Sequence, residues 1–302
     1  MAVVLTTSLA AIAASPSIDG EPPTPAAPPA APPVAWSAEW PRFAAADWVV
    51  TGAGAATALT MAIVPPQSRH SLQGGIAFDD SARDALRAPT SGGRSFARTA
   101  SDVLVSLELA WPVLGDALVT TWWRHKSPDA AAQMVLIDAE ALAIVMAIQG
   151  ATNTVVSRER PYGQLCGAAA DASPASDCEG SGRYRSFFSG HSATTFTAAS
   201  LTCVHHQKLA LYGPTGDAVA CATAYAGAAA TATLRMVGDM HYASDVLVGA
   251  SVGTLVGLAV PLLHYRRVHV ESTAPRAEAA RGKLVDWSVI PVGVGLGVAA
   301  TF

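Results

Sequence analysis

The side chains able to do chemistry gather at three places in the second half of this 302-residue chain. Arg160-Pro161-Tyr162 closes a long apolar stretch: Pro161 stops a helix and leaves at its exit a guanidinium, a planar fork of donors that suits phosphate oxygens. Phe188-Ser189-Gly190-His191-Ser192 opens the next stretch. There Gly190 lets backbone N–H groups approach an anion, the helix N-terminus favours negative charge, Ser189 adds a hydroxyl donor, and His191 sits beside whatever is bound. The segment Arg235 to Asp245 (RMVGDMHYASD) joins two further stretches. On a helix His241 and Asp245, four apart, share a face, so the carboxylate can hold one ring nitrogen as N–H and leave the other as nucleophile or base. Taken singly, each cluster also reads as an ordinary helix terminus, N-cap segment or solvated His/Asp pair. Together they stand in the order R-P, S-G-H, R-x5-H-x3-D, each at a helix end.

The elements that must position these groups are helices. From Trp48 onward, apolar stretches of helical length alternate with short polar breaks at about 47–64, 101–123, 130–157, 190–212, 216–236 and 242–265, with almost no period-2 alternation. The pattern predicts an all-α fold, a six-helix bundle with the three clusters at helix ends on one side. Charged residues are 14% of the chain where a soluble domain carries about 25%. Hydrophobic residues reach 51%, Ala is about a fifth, and mean hydropathy is +0.32. A net charge of -4 supplies no basic field for a phosphate backbone and argues against nucleic-acid binding. Ala243 to Tyr265 carries only Asp245 as a charge and is followed by Arg266 and Arg267, the strongest membrane-span signal present. Glu108, Asp116, Asp138 and Glu140 must then face the bundle interior or be solvated. Arg124 and Lys126, with Arg266, Arg267, Arg276, Arg281 and Lys283, fall on the cytoplasmic side of a six-span arrangement, which turns the three clusters outward.

The ends of the chain differ from its middle. Residues 1–15 form an apolar run closing on small residues, like a secretory segment without its basic start, and 16–40 is a Pro/Ala-rich linker. The catalytic domain is expected over 41–268, with a polar linker and a strand-like tail over 269–302, where alternate residues from Val292 to Phe302 are apolar. Cys166 and Cys178, twelve apart in a polar loop, could close a disulfide in an exported segment. Cys203 and Cys221, within Ala-rich stretches, read as small core residues. No Cys/His cluster has zinc spacing, so no metal is expected.

The ensemble of motifs over residues 100–260 resembles the type 2 phosphatidic acid phosphatase superfamily, which includes bacterial class A acid phosphatases and vanadium haloperoxidases. That resemblance implies a phosphatase acting on a lipid phosphate or small phosphate ester in the cell envelope, from an inner membrane with its site facing the periplasm. It makes His241 the nucleophile that becomes a phosphohistidine, Asp245 its orienting carboxylate, and His191 the acid and then the base. Arg160, Arg235, Ser189 and the Gly190 backbone would hold the phosphate oxygens. No cofactor is implied, although vanadate could occupy the phosphate site. The first family motif places a Lys seven residues before the Arg, where this chain has Asn153, which could donate a hydrogen bond without charge. Arg158 replaces that Lys only if the helix unwinds before Pro161. The alternatives kept open are a soluble periplasmic acid phosphatase, a vanadate-dependent haloperoxidase, and an envelope protein whose site has decayed.

Overall fold

Each of the six apolar stretches is a helix. The computed structural model describes residues 34–66, 72–167 and 175–267, and the backbone of 286–292 and 295–301; the apolar run 1–15, most of the Pro/Ala-rich linker and the polar linker after 268 lie outside these. Helix α1 spans Ala45–Ile63, and a short α2, Asp79–Leu86, follows between the first two apolar stretches. Helix α3, Ser91–Ala110, starts ten residues before its apolar stretch because the Thr90 hydroxyl accepts from Gly93 N at 3.1 Å and caps a polar first turn. It continues as a π-helix, Trp111–Arg124. Helix α4, Pro128–Val156, begins with proline in its first turn, where no amide partner is lost, and ends at Ser157 in the left-handed region. A short α5, Ala175–Glu179, precedes α6, Gly190–Leu209; α7, Gly213–Val237, and α8, Ala243–His264, complete the bundle.

Helix α6 lies at the centre, nearly all of it buried although it is rich in Ser and Thr. Burial is tolerated because these hydroxyls are satisfied within the helix: Thr195 donates to the His191 carbonyl, Thr197 to Ala193 and Ser200 to Phe196, each at 2.8 Å. Helix α8 meets α6 through Gly249, Gly253 and Gly257, a four-residue repeat that brings backbone against backbone. A Cβ on Gly249 would stand 2.6 Å from the Ser189 carbonyl, and one on Gly253 would collide with the Ala193 carbonyl. Gly253→Ala should therefore cost about 1–3 kcal/mol of overpacking and lower the thermal midpoint. A thermal midpoint equal to wild type would show that the helices part without cost.

Helices α1, α3 with its π-helical extension, α4 and α8 are long and apolar enough to cross a membrane. Helix α1 has no buried residue, and Val49, Leu59 and Ile63 on it are 70%, 68% and 83% exposed. A helix that packs on α4 along one side and leaves its other apolar face uncovered fits a lipid neighbour, so the chain is membrane-associated. The intrahelical acids behave as the sequence demands: Asp116, Asp138 and Glu140 are buried. His205 Nε2 meets Asp138 at 2.9 Å, and His264 Nε2 meets Glu140 at 2.8 Å. Glu108 is half-buried with its carboxylate against Gly227 of α7.

Two expectations change. Cys203 and Cys221 are joined to each other, stapling α6 to α7, rather than packing as free small residues; antiparallel neighbours bring their Cα atoms to 4.6 Å, a proximity that spacing does not reveal. Cys166 and Cys178 are also joined. The C-terminal alternation is two strands, β1 (Asp286–Val292) and β2 (Gly295–Thr301), paired antiparallel with Val292 opposite Gly295. Val34, Trp36 and Trp40, assigned from the sequence to the linker, belong to the packed region: Val34 and Trp36 are buried, and Trp36 and Trp40 pack on Tyr265 with ring centroids 5.0 and 4.8 Å away.

Candidate active site

The up-and-down course of the bundle brings the end of α4 and its exit, the start of α6, the end of α7 and the start of α8 to one end, and all three sequence clusters lie there. His241, in the turn between α7 and α8, is 4% exposed. Its Nδ1 lies 2.8 Å from the Ser186 carbonyl oxygen. A carbonyl can only accept, so Nδ1 carries the proton and Nε2 is left with its lone pair and no hydrogen-bond partner among the described residues. Burial first, and then the positive charge of Arg160, push the His241 imidazolium down to about 3. The ring is therefore neutral and nucleophilic at any ordinary pH.

Asp245 is not the direct partner of His241 that the spacing suggested. Its Oδ2 stands 3.9 Å from His241 Nδ1 and instead accepts from Ser186 Oγ at 2.5 Å and Tyr242 N at 2.9 Å. Ser186 thus joins the two: its hydroxyl goes to the carboxylate and its carbonyl to the imidazole. The reason is local. Helix α8 begins at Ala243, so His241 lies before the first turn, and its ring leaves the face that Asp245 occupies.

Asp245 Oδ1 accepts from Arg158 Nη1 at 2.7 Å, and Arg158 Nη2 donates to Asp79 Oδ2 at 2.7 Å. All three side chains are sealed from solvent. The helix does unwind, at Ser157 (φ 47°), and this turns Arg158 inward over the Tyr242 ring at 4.2 Å. Arg158 is thereby spent on two carboxylates rather than standing in for the missing Lys. Asn153, buried at 1% exposure, donates through Nδ2 to the carbonyls of Gln149 (3.3 Å) and Phe188 (3.2 Å). Both its hydrogens hold backbone, and its buried Oδ1 has no partner among the described residues.

The two arginines of the motifs keep donors available. Arg160 gives Nε to the Gly182 carbonyl at 2.9 Å, and Arg235 gives Nη1 to Ser101 Oγ at 3.1 Å and Asp102 Oδ1 at 3.0 Å. Among the described residues no acceptor takes the Nη2 hydrogens of either, and Arg235 Nε is buried without a partner. Ser189 is the N-cap of α6, its Oγ accepting from Ser192 N and Ser192 Oγ. A hydroxyl that accepts twice still has its own hydrogen to donate. The Gly190 Cα faces the Gln149 amide, where a Cβ would come within 3.2 Å of Nε2, so the first turn of α6 stays open at its backbone.

His191 bonds through Nε2 to Asp102 Oδ1 at 2.8 Å, and Asp102 also receives Arg235. Burial first, then Arg235, lower the His191 imidazolium to about 4. A phosphate dianion beside it would raise that value again, which is what a proton donor to a leaving oxygen needs. Asp102, Ser186 and Asp79 are the residues that sequence reasoning did not assign to the site, and Arg158, weighed there only as a replacement for the Lys, instead bridges Asp79 and Asp245.

The two neutral histidines also set a pH dependence of stability. Their folded values lie below the ordinary 6.5, so the unfolded chain binds more protons as pH falls, and the stability present above 6.5 is lost toward pH 4. The thermal midpoint should fall between pH 7 and pH 4.5, and His241→Gln, which has nothing to protonate, should flatten that fall. Parallel curves for the two proteins would refute the buried neutral imidazole.

The PAP2 superfamily model matches residues 135–269, a stretch that contains Asn153, Arg160, Ser189, Gly190, His191, Arg235, His241 and Asp245. No curated protein and no solved structure matches the chain.

Proposed function

We propose that this chain hydrolyses a phosphomonoester or pyrophosphate of a lipid through a phosphohistidine; the match of residues 135–269 to the PAP2 superfamily supports a phosphatase-type activity. The observation that carries the reading is His241 itself, with Nδ1 tied to a carbonyl, Nε2 bare, and the charges of Arg160 and Arg235 acting on it against that of Asp245. Nε2 attacks phosphorus as the bond to the leaving oxygen breaks, and that oxygen takes the proton of His191. Water then attacks the phosphohistidine, giving its proton to His191, and the N–P bond breaks to release phosphate. Arg160, Arg235, the Ser189 hydroxyl and the Gly190 amide answer the charge on the equatorial oxygens.

A lipid substrate is favoured by the membrane-length helices, which put a phosphate-binding end within reach of a headgroup. Arg124, Lys126, Arg266 and Arg267 lie at the other end of the bundle, so the positive-inside tendency turns the site toward the periplasmic face of an inner membrane. Phosphate release from phosphatidate, a polyprenyl pyrophosphate and p-nitrophenyl phosphate, in detergent with EDTA, tests the proposal and ranks lipid against soluble substrates. Folded protein that releases phosphate from none of them would end it.

Asp102 has a separable effect. Its carboxylate occupies Arg235 and His191 where a phosphate must compete, and it also fixes the His191 ring. Asp102→Ala should lower KM a few-fold by freeing Arg235 and lower kcat about tenfold by loosening the acid. An unchanged kcat would show that the ring is oriented by other groups.

A further inference from the structure

At the bundle end away from the candidate active site, three helices bring together Asp47 of α1, Glu140 of α4 and His264, the last residue of α8. One ligand atom from each lies within 4.8 Å of the other two. Glu140 and His264 are each 6% exposed, Asp47 is half-buried, and Glu140 Oε2 sits 2.8 Å from His264 Nε2. Two carboxylates are thus set against a single imidazole. Among the described residues neither carboxylate has an Arg or Lys partner, and Arg42, the cation nearest Asp47 in sequence, gives both its Nη groups to Asp129 at 2.6 Å. Buried carboxylates are ordinarily paired with a cation or bound to a metal. Elsewhere in this bundle the rule is met by protein groups: Arg158 serves two acids, Arg83 and Arg87 serve Asp239, His205 serves Asp138, and His206 with the Tyr212 hydroxyl serves Asp116.

We propose that Asp47, Glu140 and His264 bind a first-row divalent cation, zinc foremost, that ties α1 to the bundle. One imidazole nitrogen and two carboxylate oxygens form a mixed set suited to zinc and its neighbours rather than to calcium or magnesium, which take oxygen alone. The His264 proton shifts to Nδ1, Nε2 becomes the ligand, and water completes the shell. Ligands about 2.0–2.1 Å from a tetrahedral ion stand about 3.3 Å apart, so the His264–Glu140 pair need open by only about half an ångström. The surroundings hold the ligands in place: the His264 ring stacks on Phe43 with an interplanar angle of 11°, and Asp47 Oδ2 accepts from Ala44 N at 2.7 Å. The site would not touch the phosphate chemistry. Its role is to anchor α1, which buries no residue of its own in the bundle.

The test is metal analysis of the full chain in detergent after loading with zinc chloride and desalting, together with thermal midpoints in zinc, in manganese and in EDTA. Wild type should retain about one zinc per chain and melt higher in zinc than in EDTA. Asp47→Asn, which keeps the shape of a half-exposed side chain and should fold, should bind zinc at least tenfold more weakly and lose the shift, as should Glu140→Gln. Wild type that retains no metal and melts alike in all three solutions would overturn the proposal and leave a hydrogen-bonded His/Glu pair. A shift that survives unchanged in Asp47→Asn and Glu140→Gln would place the ion elsewhere and overturn it too.

Discussion

His241→Ala should abolish phosphate release, with kcat falling at least about a thousandfold while the protein stays folded. The nucleophile is the one group the proposed chemistry cannot replace from solvent. A water molecule entering the space left by the ring would have to attack without covalent capture, in a site where Arg160 and Arg235 still bind the phosphate but nothing displaces the leaving group. Binding should therefore survive, with inorganic phosphate or vanadate still raising the thermal midpoint of the variant. Removing a buried ring held by one hydrogen bond leaves the Ser186 carbonyl unpaired, at about 1–3 kcal/mol, a loss that a bundle with two disulfides should withstand. Residual turnover within tenfold of wild type would exclude a phosphohistidine at this position and shift attention to a metal- or water-based mechanism.

The parts of this site that are legible in the sequence are those whose chemistry is local. Arg-Pro at a helix exit, Ser-Gly-His at a helix start and His-x3-Asp across a turn each announce themselves within a few residues, because a helix terminus is itself the anion-binding device. The six helices are legible for the same reason, as apolar stretches broken by polar turns. What does not show is everything that depends on distant segments meeting. Asp79 reaches Ser244 across 165 residues and Arg158 across 79, and Asp102 reaches Arg235 across 133 and His191 across 89. In sequence these are surface-type charges in a polar loop and a helix start. Ser186 carries no signal at all, and its part depends on a carbonyl. Asp245 shows the limit of spacing arguments: i,i+4 implies a shared face only where both residues are helical, and His241 precedes the helix. At Asn153 the loss of charge is visible but the use of the side chain is not, since one of its hydrogens braces the Phe188 carbonyl one residue before Ser189.

Arg158 should prove the residue on which the fold depends most heavily. It is fully buried, bonded at 2.7 Å to both Asp79 and Asp245, and it also donates to Ser244 Oγ and the Gly74 carbonyl. One guanidinium thus ties the α4 exit to α2 and to the start of α8. Such a pair adds little compared with an apolar replacement of all its members, but removing one member leaves uncompensated charge in a dry interior, at about 3–5 kcal/mol. Here two carboxylates are stranded at once. Arg158→Met, which keeps the length of the stem, should lower the thermal midpoint by about 10 °C or more and reduce kcat as Asp245 and, through Ser186, His241 lose their positions. Arg158→Lys should recover only part of the loss, because one ammonium on a flexible stem cannot bridge two carboxylates as a planar fork does. The discriminating protein is the double variant Arg158→Met with Asp79→Asn. Neutralising the acid farther from the chemistry removes one stranded charge, so this variant should melt above Arg158→Met while turning over no faster. Equal stability of the single and double variants would mean that solvent enters and screens the pair, and the charge network would then be a bystander to the fold.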